Sequence, residues 1–161
     1  RSYDLKKRTS EGGIGGQSGT ITKIMDSEKY LLSAGSNGHI MIHGIDDLET
    51  YESLNCHPSD IIDFDVHPSG RLLVTLGIDK KIKLWNLMDM KEAYHKNIWT
   101  SLDFIRFAPD GNLLLGYGKE IVLFGVEDNS IIGAVEHEER VTFLEVFDEK
   151  YLVSSGKFYF F

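Results

Sequence analysis

Residues 57–88 read HPSDIIDFDVHPSGRLLVTLGIDKKIKLWNLM, and this stretch decides the fold. It contains three short apolar runs, separated by two clusters of turn-forming residues. Turns are favoured in these clusters because Gly tolerates positive φ and Asp bonds nearby backbone N–H groups. The stretch therefore predicts an antiparallel meander of three strands. The runs lie at 61–66, 72–76 and 82–85, and the turn clusters at 68–70 and 77–80.

The same unit recurs along the chain. The first apolar residues of the copies are spaced by 40, 41 and 39 residues, at Ile21, Ile61, Leu102 and Val141. A four-stranded repeat of about 40 to 45 residues is the period of a β-propeller blade. Propellers close with about 4 to 8 blades, and about three and a half are visible here. We therefore expect an all-β propeller fragment without helices, since the apolar period is two throughout.

The repeat divides the chain into five predicted segments. The first, residues 1–17, is expected to hold the end of a preceding blade around Tyr3 and a Gly-rich connection. The basic run at 6–8 in it favours either a solvated turn or a nuclear-import or phosphate contact. The remaining segments are blades at 18–56, 57–97 and 98–137 and a truncated blade at 138–161.

The 57–97 segment resembles the WD-repeat family. The family's pattern places a His before the first strand, a Ser or Thr in the second, an Asp in the tight turn and a Trp in the third. Those positions hold His57, Thr75, Asp79 and Trp85. The resemblance implies a hydrogen-bonded structural tetrad that runs from Trp85 through Thr75 and His57 to Asp79. In the preceding blade the pattern is eroded, and His43 stands at the Trp position.

Composition argues against some classes of partner but leaves room for a local basic patch. The formal net charge is −8 and the isoelectric point about 5.2, which disfavours broad attraction to nucleic-acid phosphates or to anionic membranes. The single cysteine, Cys56, cannot form an internal disulfide, so a reducing intracellular compartment is expected. No apolar run reaches the length of about 18 residues that a transmembrane helix needs.

No catalytic, cofactor or metal site is predicted. The six histidines are not at metal-ligand spacing, and the sequence contains neither a P-loop nor a G-x-S-x-G elbow. The paired carboxylates Asp63 and Asp65 are expected at exposed positions, as a solvated face. The sequence therefore predicts a protein that is not an enzyme.

Recognition remains, and the candidates are loop residues. In WD repeats the positions just before each first strand are the usual partner-binding sites, and the aromatic loop residues Trp99 and Tyr117 join them. Packing under its loop is the alternative for Trp99. Lys80, Lys81 and Lys83 indicate either a contact with acidic protein or RNA, or an edge hairpin kept soluble by lysines. The candidate partner-binding residues are Asp60, Trp99, Ser101, Tyr117 and Arg140.

A narrower resemblance is to the PAK-interacting WD-repeat protein family, over residues 2–156. It is carried by SGTIT at 18–22, LLSAG at 31–35, HPSGRL at 67–72, DK at 79–80, LWNL at 84–87 and FAPDG at 107–111.

This resemblance implies a nucleolar or nuclear scaffold for large ribosomal subunit assembly and rRNA processing. Its implied partners are proteins of the preribosomal large subunit and a PAK-type protein kinase, and any RNA contact would be indirect. The alternative is a signalling regulator or adaptor that binds a PAK-type kinase or a ubiquitin-ligase component.

Overall fold

The structure is a computed structural model that describes residues 2–4, 9–12, 20–27, 30–44, 50–128, 130–147 and 151–156. All regular secondary structure in these ranges is β-strand, which confirms the predicted all-β class. Within the same ranges, no helix is long and apolar enough to cross a membrane. The chain divides into two compact units, residues 1–61 and 62–161.

The first unit contains a two-stranded and a four-stranded antiparallel sheet. The small sheet pairs β1 (Ser2–Asp4) with β2 (Thr9–Gly12), and β2 falls where only a Gly-rich connection was expected. The basic run at 6–8 and residues 13–19 lie outside the described residues. The larger sheet has the order β3 (Ile21–Ser27), β4 (Tyr30–Gly35), β5 (His39–Gly44) and β6 (Thr50–Asn55).

The second unit contains three sheets in which each strand neighbours the next strand in the chain. The first has the order β7 (Ile61–Val66), β8 (Leu72–Gly77), β9 (Lys81–Asn86) and β10 (Lys91–Asn97), and β7 starts at the boundary between the units. The second has β11 (Phe104–Phe107), β12 (Leu113–Tyr117), β13 (Glu120–Phe124) and β14 (Ile131–Glu136). The third pairs β15 (Val141–Phe147) with β16 (Tyr151–Gly156).

The core of the second unit lies between successive sheets. Apolar side chains that alternate along β8 and β9 pack against side chains of β11 and β12, and those of β12 and β13 pack against β15. Each sheet thus buries one face on the next, because a single four-stranded sheet cannot remove its apolar side chains from water alone. The first cluster comprises Val74, Leu76, Ile82, Leu84, Leu102, Ile105, Phe107 and Leu113.

Two carboxylates on β7 lie inside this packing, contrary to the expected exposed positions. Asp63 and Asp65 are only 5% and 9% exposed. Asp63 Oδ2 accepts the backbone N–H of Ile105 at 3.0 Å and pairs with the Arg106 guanidinium, and Asp65 Oδ2 accepts the N–H of Phe107 at 2.7 Å. The prediction was wrong because β11 is the edge strand of its sheet. Its N–H groups that point away from β12 are buried, and because no further strand of the sheet pairs with them, they need side-chain acceptors.

His43, on β5 of the first unit, gives the stability a dependence on pH. Its side chain is fully buried, and burial lowers its pKa below the ordinary value of 6.5. The folded state therefore favours the neutral ring, so the stabilisation is present above about pH 6.5 and is lost as the pH falls from there towards the folded-state pKa. We expect the urea concentration at the unfolding midpoint to decrease when the pH is lowered from 7.5 to 5.5. The decrease should be smaller in His43→Leu. An equal fall in both proteins would contradict this role of His43.

Candidate partner-binding surface

The loop that leaves the last strand of each four-stranded sheet is held by a backbone hydrogen bond. In the second unit, Ile98 N–H donates to the carbonyl of Lys80 at 2.9 Å and His137 N–H to that of Lys119 at 2.8 Å. The acceptors lie in the turns between the second and third strands of the sheet that each loop leaves. Loop and turn therefore lie side by side at one end of the sheet.

The first unit repeats this arrangement. His57 N–H donates to the carbonyl of Gly38 at 3.0 Å. Gly38 has φ +78°, and a Cβ there would overlap the carbonyl oxygen of His57. Only glycine fits this close approach without strain.

Trp99 is the most exposed large apolar side chain at this end of the second unit. Its relative exposure is 99%, so the alternative of packing under the loop is wrong. The loop is nevertheless anchored on both sides of it, because Ile98 packs against the core cluster and Leu102 is buried. The indole is thus presented to solvent by a fixed stretch of backbone.

Arg140 and Tyr117 already have partners inside the second unit. The Arg140 guanidinium lies 2.5 Å from Asp103 Oδ1, while Asp103 Oδ2 accepts the N–H of Gly118 at 3.0 Å. A hydrogen bond to the Glu120 carboxylate raises the pKa of the Tyr117 phenol, with smaller contributions from burial and from the charge of Glu120. These contacts connect the 98–103 loop, the 117–120 turn and the start of β15.

The remaining candidates lie in different units. Ser101 is exposed in the loop that also carries Trp99, whereas Asp60 is half-buried in the first unit just before β7. The structure thus places Trp99, Ser101, Tyr117 and Arg140 at the same end of neighbouring sheets in the second unit. Their role in partner binding stays a prediction.

Part of the predicted tetrad forms a contact in the second unit. Trp85 Nε1 donates to Thr75 Oγ1 at 3.2 Å in the buried interior, and Asp79 Oδ1 accepts the backbone N–H of Lys81 at 3.2 Å. His57 is 2% exposed in the first unit. The tetrad as a whole stays a prediction.

Sequence reasoning overlooked His137. It stands four residues before Val141, as His57 stands four residues before Ile61, and both histidines donate their backbone N–H to the turn of the preceding sheet. His137 is half-buried, and its Nδ1 is 3.1 Å from where a Cβ on Gly156 would lie. The equal spacing was a sequence signal that could have identified it.

The predicted lysine cluster splits into two parts. Lys83 Nζ lies 2.8 Å from Glu92 Oε2 and 5.4 Å from the centroid of the Trp85 ring. This ion pair, together with His95, lowers the pKa of the Glu92 carboxyl. Lys83 is thus part of the outer-strand contacts, and Lys80 and Lys81 remain beside the loop that carries Trp99.

The structure gives no sign of a metal centre in the part of the chain that it describes. No group of three or more His, Cys, Asp or Glu side chains there is placed to hold an ion.

Comparison with known families identifies a repeat in the chain. The family described as "WD domain, G-beta repeat" matches residues 48–86. The solved structure titled "Crystal structure of RRP9 WD40 repeats" superposes with a TM-score of 0.76 at 16% identity, over 89% of this chain and 47% of that one. At that identity the likeness concerns the fold, and it agrees with the repeat seen in the strands.

Two curated relatives are also similar in sequence. The "p21-activated protein kinase-interacting protein 1-like" of Danio rerio is 27% identical over 156 residues, which is 96% of this chain and 42% of that protein. "Protein MAK11" of Saccharomyces cerevisiae is 33% identical over 110 residues, which is 58% of this chain and 27% of that protein. The chain thus spans less than half the length of the relatives it matches.

Proposed function

We propose that this chain, a WD-repeat protein of the β-propeller class, acts as a non-enzymatic scaffold in the biogenesis of the large ribosomal subunit. The observation that carries a binding role is the exposed but anchored Trp99 at the loop end of the second unit. A large aromatic side chain in a fixed loop is the kind of residue that anchors protein interfaces.

The ribosomal part of the proposal rests on the sequence resemblance to the PAK-interacting WD-repeat proteins. That resemblance spans nearly the whole chain, and the similarity to the relative from Danio rerio covers 96% of it. The proposed partners are proteins of the preribosomal large subunit, the proposed location is the nucleolus or nucleus, and RNA is contacted indirectly.

A second candidate function is that of a signalling adaptor that binds a PAK-type kinase or a ubiquitin-ligase component. It is favoured by the name of the relative from Danio rerio, which describes a protein that interacts with p21-activated kinase. The loop end of the second unit, where Trp99 is 99% exposed, would serve as a protein-binding surface in either role.

Affinity purification of the tagged full-length protein from nuclear extract, with and without RNase, separates the two roles. Large-subunit assembly factors and precursor rRNA in the purified material are the expected result. Since counterion release weakens direct phosphate contacts as salt rises, an indirect RNA contact predicts that the protein partners persist after RNase and at moderate salt. Kinase or ligase subunits without preribosomal material would contradict the ribosomal role.

A further inference from the structure

Trp99 is unusually exposed for a tryptophan. Tryptophan is among the most apolar large side chains, and it is usually buried on its apolar side. Here 99% of it faces water, while Ile98 packs into the core and Leu102 is 4% exposed. Because the backbone on both sides is fixed, binding a partner would require little further ordering of the loop.

The turn beside Trp99 adds a cation and a second apolar side chain. The carbonyl of Lys80 accepts a hydrogen bond from the Ile98 N–H at 2.9 Å. Lys80 itself has φ 59° and an exposed side chain. Ile78, in the same turn, is 53% exposed. Within the described residues neither Lys80 nor Lys81 takes part in an ion pair, whereas Lys83 forms one with Glu92.

We propose that Trp99, Ile78 and Lys80 form a docking surface for a segment of a partner protein that combines aliphatic and acidic side chains. The aliphatic side chain packs on the indole and on Ile78, and a neighbouring carboxylate pairs with the Lys80 ammonium. This inference rests on the proposed scaffold role and specifies the chemistry of the partner.

Charge at this end of the unit favours a protein segment over single-stranded RNA, although an exposed indole could also stack on a base. An RNA backbone needs a continuous basic path, which is lacking here because acidic side chains outnumber basic ones. A protein segment with a single carboxylate needs only one available cation, which Lys80 supplies. Two of the four cations are also engaged, because Lys119 Nζ bonds the carbonyl of Glu138 and Arg140 pairs with Asp103. The acidic residues are Asp79, Asp103, Glu120, Glu136, Glu138 and Glu139, and the basic ones Lys80, Lys81, Lys119 and Arg140.

Site-specific photocrosslinking in cells tests the docking surface on the full-length protein. The variant Trp99→p-benzoylphenylalanine carries the crosslinker, and Met88→p-benzoylphenylalanine is the matched control. Met88 is 75% exposed in the turn at the opposite end of the same sheet. We expect crosslinks from position 99 to a protein segment in which Asp or Glu adjoins an aliphatic residue, and a decrease when Lys80→Glu is added. Crosslinks to RNA, no crosslink, or equal products from both positions would overturn the proposal.

A peptide synthesised from the crosslinked segment gives the quantitative test. Trp99→Ala is expected to weaken its binding to the full-length protein about thirtyfold, as for an interface hot spot. Lys80→Glu should weaken binding about tenfold, and Met88→Ala should leave it unchanged. Unchanged binding by Trp99→Ala would overturn the assignment.

The ribosomal role is tested separately by co-sedimentation of the wild-type protein with preribosomal particles. If the protein binds the acidic peptide through Trp99 but does not co-sediment, the docking surface is supported and the proposed function is contradicted. If the wild-type protein and Trp99→Ala co-sediment equally well and no acidic segment binds, the proposed function is supported and the docking surface is contradicted.

Discussion

Replacing Asp63 by alanine is expected to destabilise the protein by about 3 to 5 kcal/mol, the usual loss when one partner of a buried ion pair is removed. The carboxylate is 5% exposed and holds both the Arg106 guanidinium and the backbone N–H of Ile105. Its removal leaves a largely buried cation and an edge-strand donor without this acceptor. Urea unfolding followed by circular dichroism measures the change in the free energy of unfolding.

The matched control is Asp89→Ala, which removes an exposed carboxylate from the turn between β9 and β10. A surface change of this kind should alter the free energy of unfolding by no more than about 0.5 kcal/mol. Asp63→Asn should lie between the two, because the amide oxygen still accepts one N–H but no longer balances the charge of Arg106. Similar decreases in the free energy of unfolding in Asp63→Ala and Asp89→Ala would show that the Asp63 carboxylate does not stabilise the packing of β7 against β11.

Trp85→Ala is expected to lower the free energy of unfolding by about 3 to 5 kcal/mol, mainly through lost packing in the core. Trp85 is 7% exposed, and its Nε1 donates to Thr75 Oγ1 at 3.2 Å. Trp85→Phe keeps most of the ring but removes the donor, so it should cost less, about 1 to 2 kcal/mol. The same urea measurement on the three proteins separates packing from the hydrogen bond.

The second tryptophan provides the control. Trp99→Ala removes an indole that is 99% exposed, so the free energy of unfolding should change by no more than about 0.5 kcal/mol. Comparable losses from Trp85→Ala and Trp99→Ala would contradict the burial assigned to these two side chains. A neutral Trp99→Ala also establishes that any binding defect of that variant is not a folding defect.

The strands could be predicted because their signal is local. Alternating apolar residues such as Leu84 beside Lys83, bounded by Gly and Asp, determine where a strand begins and ends. Strands β7, β8 and β9 therefore agree with the sequence pattern within a residue. An exception is β11, which begins at Phe104 instead of the predicted Leu102, where Asp103 turns to bond Gly116 and Arg140.

The binding candidates were identified less completely. Counting from the first strands locates the loops, so Trp99 and Arg140 were expected in loops that precede a first strand, and the structure has them there. Sequence alone does not distinguish an exposed tryptophan from a packed one, because both satisfy the same local pattern. The ion pair between Arg140 and Asp103, residues 37 positions apart, is also invisible to any local pattern.

The sequence by itself determined the all-β class, the repeat and the turns, since these depend on residues within one hairpin of each other. Only the tertiary structure decided that Asp63 and Asp65 are buried and that Trp99 is exposed. The physical reason is the same in both cases. Whether a side chain meets water depends on the neighbouring sheet: β11 lies against the β7 carboxylates and supplies donors for them, while no described residue covers the indole.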